Sequence, residues 1–265
     1  PSKLAGWYGP ARAFSYAQEV QPVFDKHCVK CHDFGEEAGK KLILAGDRNP
    51  YFNASYIDLW IWRRKLVKLV GGGPAEVQQA FSWGSHPSKL SQVIRKKPGK
   101  HKDLKLSTED AQRINTWLDL NGPYYPSYTC AYPDSQSGRS PIPTRELQTL
   151  CKLTGLNYGS LRSNGRGDRA QISFERPEIS PCLARIKGGK ETPAYKQALT
   201  IIQAGAAALK TKPRCDMKGF IPCEADRKRL EKFNYLDRIE QKYRKAIQTG
   251  KKLYDRDIAP TPAAP

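Results

Sequence analysis

The feature that most constrains this 265-residue chain is the stretch KHCVKCHDFG, residues 26 to 35, which holds two cysteines and two histidines. Three kinds of site use closely spaced cysteines and histidines: a covalent haem attachment, one half of a zinc site and a redox-active dithiol. Each of them needs different partners elsewhere in the chain. The order of the residues and the rest of the sequence therefore decide between them.

The order within CVKCH favours attachment of haem c. Two residues separate Cys28 from Cys31, and His32 follows directly, which is the Cys-x-x-Cys-His pattern. The two thiols add to the vinyl groups of haem as thioethers, and the histidine is then held beneath the iron as its proximal axial ligand. A structural zinc site needs a second ligand pair, and Cys215 and Cys223 have no histidine nearby. A thioredoxin-type dithiol has no use for the trailing histidine.

The second axial ligand of such a haem has several candidates. The single methionine, Met217, lies far outside the helical unit that carries the motif. His27 is too close to His32 in sequence to reach the opposite face of the haem. His101 lies in the loop before the last helix of the unit, and it is the expected distal ligand; His86 is the alternative, and an open or water-ligated iron is a third possibility. A bis-histidine haem has no vacant position for a substrate, which favours electron transfer over catalysis.

Composition limits the class of protein and partner. A hydrophobic fraction of 38% and an aromatic fraction of 10% are typical of a folded, soluble chain. No apolar run approaches the roughly 18 residues of a membrane span. The net charge of +19 favours acidic partners, but no helix-turn-helix, RRM or zinc-finger signature points to nucleic acid. Lys26, Lys30, Lys40 and Lys41 predict a basic rim that orients an acidic redox-partner protein.

Five cysteines lie outside the motif, at positions 130, 151, 182, 215 and 223. Such cysteine usage favours an oxidising, extracytoplasmic compartment, with the targeting segment expected outside this sequence. Two disulfides are candidates: Cys182 with Cys223, which flank an alanine-rich helix, and Cys130 with Cys151. Each would stabilise the fold by about 3 kcal/mol.

The remaining sequence predicts a mainly α fold. The sequence predicts four helices in its first half: one from near Pro22, one over residues 54 to 70, a short one after residue 86, and one that begins at Ser107 or Thr108. The buried stripe of the fourth helix consists of Ile114, Trp117, Leu118 and Leu120. Further helices are predicted around residues 144–155, 193–210 and 223–255. We expect a cytochrome c-like helical haem domain over residues 1–125, a helical, disulfide-stabilised extension or docking region over 126–258, and a flexible tail over 259–265.

Three stretches carry a family resemblance: VQPVFDKHCVKCHDFG with LILAGD, then GSHPSKL, then LSTEDAQRINTWLDLNGPYY. They resemble the c-type cytochrome domains of planctomycete periplasmic proteins related to the haem-bearing region of the hydrazine synthase alpha subunit. Simpler members of that group have Met-Pro-Pro before the LS-x-ED helix, where this chain has His101-Lys102-Asp103. That departure implies His101 as the replacement ligand.

The sequence therefore predicts a single-haem cytochrome c for periplasmic electron transfer, as a component of a larger multi-haem assembly whose other subunits bear haem. One alternative is an open-site haem enzyme component that acts on a small nitrogen or oxygen species. Another is a structural scaffold that the haem anchors. A complete hydrazine synthase is not expected, because in the resembled family that reaction needs a second haem and this chain has one CxxCH motif.

Overall fold

A computed structural model describes residues 7–10, 12–60, 66–70, 77–135, 138–162 and 169–251. Within these ranges the secondary structure is helical, without strands, and an isolated antiparallel bridge joins Arg48 to Asn53. The α-helices are α1 (Tyr16–Glu19), α2 (Gln21–His27), α3 (Ala54–Trp60), α4 (Lys89–Lys96), α5 (Thr108–Asp119), α6 (Thr144–Thr154), α7 (Tyr158–Arg162), α8 (Pro193–Thr211) and α9 (Glu224–Gln248). Short 3-10 helices span Gly99–His101, Pro177–Ile179 and Pro181–Arg185. The mainly α prediction is confirmed.

Local sequence signals explain where several helices begin and end. Ser107 caps α5, since its side chain accepts a hydrogen bond from the backbone N–H of Asp110. Thr192 caps α8 in the same way through the N–H of Tyr195. Gly155 ends α6 in the left-handed conformation, at φ 68°, which glycine adopts without strain.

One predicted helix does not extend as far as its amphipathic pattern. The pattern covers residues 54 to 70; α3 is described over Ala54–Trp60, residues 61–65 lie outside the described residues, and residues 66–70 are not helical. Their backbone groups bond elsewhere: the carbonyl of Leu66 accepts from the N–H of Leu90, and the N–H of Lys68 donates to Ser88. Partners distant in sequence thus replace the helical hydrogen bonds. The predicted burial of Leu120 is also wrong, because 51% of this residue is exposed.

The chain divides into two compact units, residues 1–221 and 222–265. The first unit holds two main apolar clusters. One is rich in aromatic residues and comprises residues from α1 to α5 and the following Tyr124; the other draws on α6, α8 and the 3-10 helix Pro181–Arg185. The predicted boundary between residues 125 and 126 does not coincide with this division and stays a prediction.

Ion pairs and hydrogen bonds of Asp58, Arg169, Arg214 and Asp216 join the earlier and later parts of the first unit. Arg214 is 1% exposed and binds Asp216 through Nε at 2.9 Å, while Asp216 also accepts a hydrogen bond from Tyr124. Arg169 binds Asp58 on α3 at 2.7 Å. Loss of one partner from such a pair leaves an uncompensated buried charge, so these contacts hold the extension against the segment with the CxxCH motif.

The second unit is dominated by α9, whose surface is charged and exposed. Ion pairs four residues apart, Glu224 with Lys228 and Glu240 with Arg244, support the helix along its length. None of the helices that the structure describes is both long and apolar enough to cross a membrane.

Candidate haem site

The CVKCH segment forms a tight turn directly after α2. Cys28 caps the helix, and its backbone N–H donates to the carbonyl of Phe24 at 2.8 Å. The N–H groups of Cys31 and His32 both donate to the carbonyl of Cys28, at 3.1 and 3.0 Å. One turn thus carries both thiols and the histidine, as attachment to a single porphyrin edge requires.

The imidazole of His32 is oriented by a backbone carbonyl. Its Nδ1 lies 2.9 Å from the carbonyl oxygen of Leu42. A carbonyl only accepts, so the proton of the neutral ring resides on Nδ1 and the lone pair on Nε2. Histidine ligands of metals are held in this way by a partner on their other nitrogen. The contact with Leu42 therefore leaves the lone pair of Nε2 available to a metal ion.

The ring of His101 lies near that of His32 and almost parallel to it. The two ring centres are 6.2 Å apart, and their planes differ by 12°. Metal–nitrogen bonds to histidine are about 2 Å long, and an imidazole centre lies about 1 Å beyond its nitrogen, so two imidazoles on opposite sides of one metal have centres about 6 Å apart. The observed pair has the spacing that two axial ligands need.

The other candidate ligands have different neighbours. His86 lies with its ring centre 4.8 Å from that of Phe81. His27 points to the N-terminus of α5, where its Nε2 lies 2.9 Å from Asp110. Met217 packs against the second apolar cluster. Of the candidates named in the sequence, the structure brings His101 alone into ring contact with His32.

The two thiols of the motif differ in environment. Cys31 is exposed, whereas Cys28 packs against the first apolar cluster. Burial, with a smaller contribution from the nearby Cys31, raises the pKa of the Cys28 thiol to about 12. A thiol in such surroundings is a poor nucleophile while the chain is folded.

The loop after His32 is clamped by a residue of the extension. Arg176 donates to both oxygens of Asp33, at 2.9 and 2.6 Å, and to both oxygens of Asp47, at 2.8 and 2.6 Å. The hydrogen bonds from Arg176 lower the pKa of Asp33. This clamp fixes both ends of the loop that contains Leu42. No local pattern predicts it, because Arg176 and Asp33 are 143 residues apart in the chain.

The donor set fits haem c. It comprises two thiols on one turn, a histidine whose Nε2 carries the lone pair, and a second histidine at the spacing of a shared metal. When bound, haem supplies an iron that cycles between two oxidation states. Four other partly buried apolar residues, Leu42, Leu66, Val67 and Leu106, pack against the same cluster as Cys28.

No disulfide joins any of the seven cysteines, all of which belong to the described residues. Cys182 is fully buried in the second apolar cluster, and Cys151 packs against that same cluster. Burial raises the pKa of the Cys182 thiol to about 12. The pairings of Cys182 with Cys223 and of Cys130 with Cys151 remain predictions.

Comparison with known proteins adds no relative. No protein-family model matches the chain, and no curated protein or solved structure matches it. The functional argument therefore depends on the residues themselves.

Proposed function

We propose that this chain is a single-haem c-type cytochrome that transfers electrons. Cys28 and Cys31 would form the thioether links, His32 would be the proximal ligand and His101 the distal ligand. The observation that carries the proposal is the near-parallel pair of imidazoles 6.2 Å apart, one of which follows the CxxC motif directly.

The same pair supports electron transfer over catalysis. With imidazoles on both faces, the iron has no open position for a substrate, and a bis-histidine haem has a lower potential than one with methionine and histidine. The chain's role is then to hold two ligands rigidly, so that little rearrangement accompanies a change of oxidation state. The Leu42 carbonyl and the Arg176 clamp both serve that purpose.

The location and assembly of the cytochrome follow from the same proposal. We infer a periplasmic protein, because the number of cysteines and the resemblance to planctomycete cytochrome domains favour an extracytoplasmic compartment. The resemblance to the haem region of the hydrazine synthase alpha subunit also favours membership of a multi-haem assembly. An acidic redox-partner protein or another haem-bearing subunit would be its electron donor or acceptor.

The electron-transfer proposal is tested by the absorption and EPR spectra of the purified protein. We expect low-spin ferric haem and a ferrous form that does not bind carbon monoxide. Replacement His101→Ala should convert the ferric haem to high spin and permit rapid binding of carbon monoxide. The matched control, His86→Ala, should leave both spectra unchanged.

Other results would overturn parts of the proposal. A wild-type protein that is high-spin and binds carbon monoxide would favour the open-site enzyme instead. A spectral change in His86→Ala with none in His101→Ala would show that His86, and not His101, is the distal ligand. If the denatured protein has the mass of the bare polypeptide, no haem is covalently attached and the whole proposal is wrong.

A further inference from the structure

A cleft of about 640 Å³ lies beside the aromatic cluster of the first unit, and neither the haem ligands nor the clamp use it. Seven of its thirteen lining residues are aromatic. Tyr56 and Tyr124 form its buried floor, being 8% and 3% exposed, whereas Tyr128 on the rim is 96% exposed. An exposed tyrosine beside a concave aromatic surface offers a face on which a flat ligand can stack.

The charged residues that line the cleft are both positive. Arg139 and Arg162 line it, and no carboxylate occurs among its lining residues, all of which are described. The guanidinium carbon of Arg139 is 3.6 Å from the ring centre of Tyr125 and 5.9 Å from that of Tyr128. That of Arg162 is 5.2 Å from the ring centre of Tyr51. Both cations are therefore held against the aromatic walls, where a guanidinium can pair with a carboxylate or sulfonate.

We propose that this cleft binds a planar aromatic anion, a fused or substituted ring system that bears a carboxylate, sulfonate or phosphate group. The tyrosines stack on the ring faces, and Arg139 and Arg162 pair with the anionic group. An aliphatic anion would lack the stacking, and an aromatic cation would be repelled by both arginines. Binding does not require the haem, so this inference and the proposed function can fail separately.

The test uses the 265-residue holoprotein and anthraquinone-2-sulfonate, a flat anionic probe, in isothermal titration calorimetry. We expect saturable binding at one site. Replacement Arg139→Gln or Arg162→Gln should weaken binding about tenfold, since each removes one charge-assisted contact. Tyr128→Ala should weaken it severalfold without affecting the fold, because that side chain is almost wholly in solvent.

Three controls separate the cleft from the general positive charge of the chain. Arg145→Gln removes an equal charge from the exposed surface of α6 and should change the affinity less than twofold. Hexanesulfonate and 2-(hydroxymethyl)anthraquinone should each bind at least tenfold more weakly than the probe. If Arg139→Gln unfolds the protein, Tyr128→Ala and Arg162→Gln decide the result.

The proposal is overturned by any of three findings. The first is the absence of saturable binding of the probe. The second is an equal loss of affinity in Arg145→Gln and the two cleft variants, which would indicate attraction to the net charge of the surface. The third is equally tight binding of hexanesulfonate, which would exclude stacking on the aromatic walls.

Discussion

A backbone acceptor at Nδ1 of His32 determines what this imidazole can bind. Because the acceptor is the carbonyl of Leu42, no side-chain substitution removes it directly. A carbonyl orients the ring without adding a full negative charge, whereas a carboxylate at the same place would make the imidazole more basic. In the proposed haem site, the reduction potential would then depend mainly on the identity of the two axial ligands.

Asp110 is the residue whose ionisation should matter most for acid stability near the site. Burial opposes its ionisation, but hydrogen bonds from His27, Lys26 and Ser107 outweigh burial and lower its pKa from 3.8 to about 2. Because the folded pKa is the lower one, the carboxylate stabilises the fold above pH 3.8 and loses that effect as the pH falls towards 2.

Replacement Asp110→Asn should lower the free energy of unfolding by about 1 kcal/mol near neutral pH, a modest value because solvent reaches the cluster. The difference from wild type should shrink as the pH is lowered from about 5 to about 2. Urea unfolding followed by circular dichroism at several pH values measures it. Asp103→Asn, in the exposed loop before α5, should differ from wild type by less than about 0.5 kcal/mol throughout. A penalty for Asp110→Asn that is constant with pH would contradict this account.

At the scale of elements, local signals predict α5 well and α3 poorly. Ser107, the acidic first turn and the Asn121-Gly122-Pro123 stop all act within a few residues of α5, and the helix spans Thr108–Asp119 as expected. The amphipathic pattern after Ala54 continues to residue 70, but residues 66–70 bond to Ser88 and Leu90. No periodicity reveals such partners, because they come from a distant part of the chain.

The residues of the candidate site also differ in how well the sequence predicts them. Cys28, Cys31 and His32 lie within five consecutive residues, so a motif is enough to predict them as a group. The pairing of His32 with His101 is expected from the order of elements and from the family resemblance, and the structure places the two ring centres 6.2 Å apart. The Leu42 carbonyl and the Arg176 clamp arise from folding, and the sequence carries no local sign of either.

The clamp is the element-scale feature with the clearest test. Replacement Arg176→Met removes four hydrogen bonds to Asp33 and Asp47 and should lower the free energy of unfolding by about 2 kcal/mol. Because the loop it holds contains Leu42, the orientation of His32 should also become heterogeneous. We expect a second low-spin species, or broadened g-values, in the EPR spectrum of the ferric protein.

The control removes the same charge from a neighbouring position. Arg185 is exposed at the end of the 3-10 helix Pro181–Arg185, and Arg185→Met should change neither stability nor the EPR spectrum. Arg176→Lys, which keeps the charge but not the forked geometry, should restore part of the stability. If Arg176→Met is destabilised but its EPR spectrum is unchanged, the clamp stabilises the fold without orienting His32.

At the scale of the whole molecule, the net charge of +19 is large for 265 residues. Lys30, Lys40 and Lys41 are exposed close to the tether in sequence. Lys40 pairs with Glu37, and Lys26 pairs with Asp110, so Lys30 and Lys41 are the best positions at which to test the basic rim. A positive field accelerates the approach of an anionic partner, and salt weakens that field beyond about 10 Å at 0.1 M ionic strength.

The oxidation of the reduced haem by hexacyanoferrate(III) should therefore slow as ionic strength rises. In the double variant Lys30→Glu/Lys41→Glu the rate at low salt should fall about threefold or more, and its dependence on salt should flatten. Lys187→Glu/Lys190→Glu changes the net charge equally, at exposed positions in the turn before α8. Stopped-flow absorbance measures all three proteins. If the two double variants slow equally, the total charge of the molecule governs the encounter. A larger effect of the Lys30 and Lys41 substitutions would indicate that the exposed haem edge lies beside the CxxCH motif. In that case the reversed charges lie closest to the point of electron exchange.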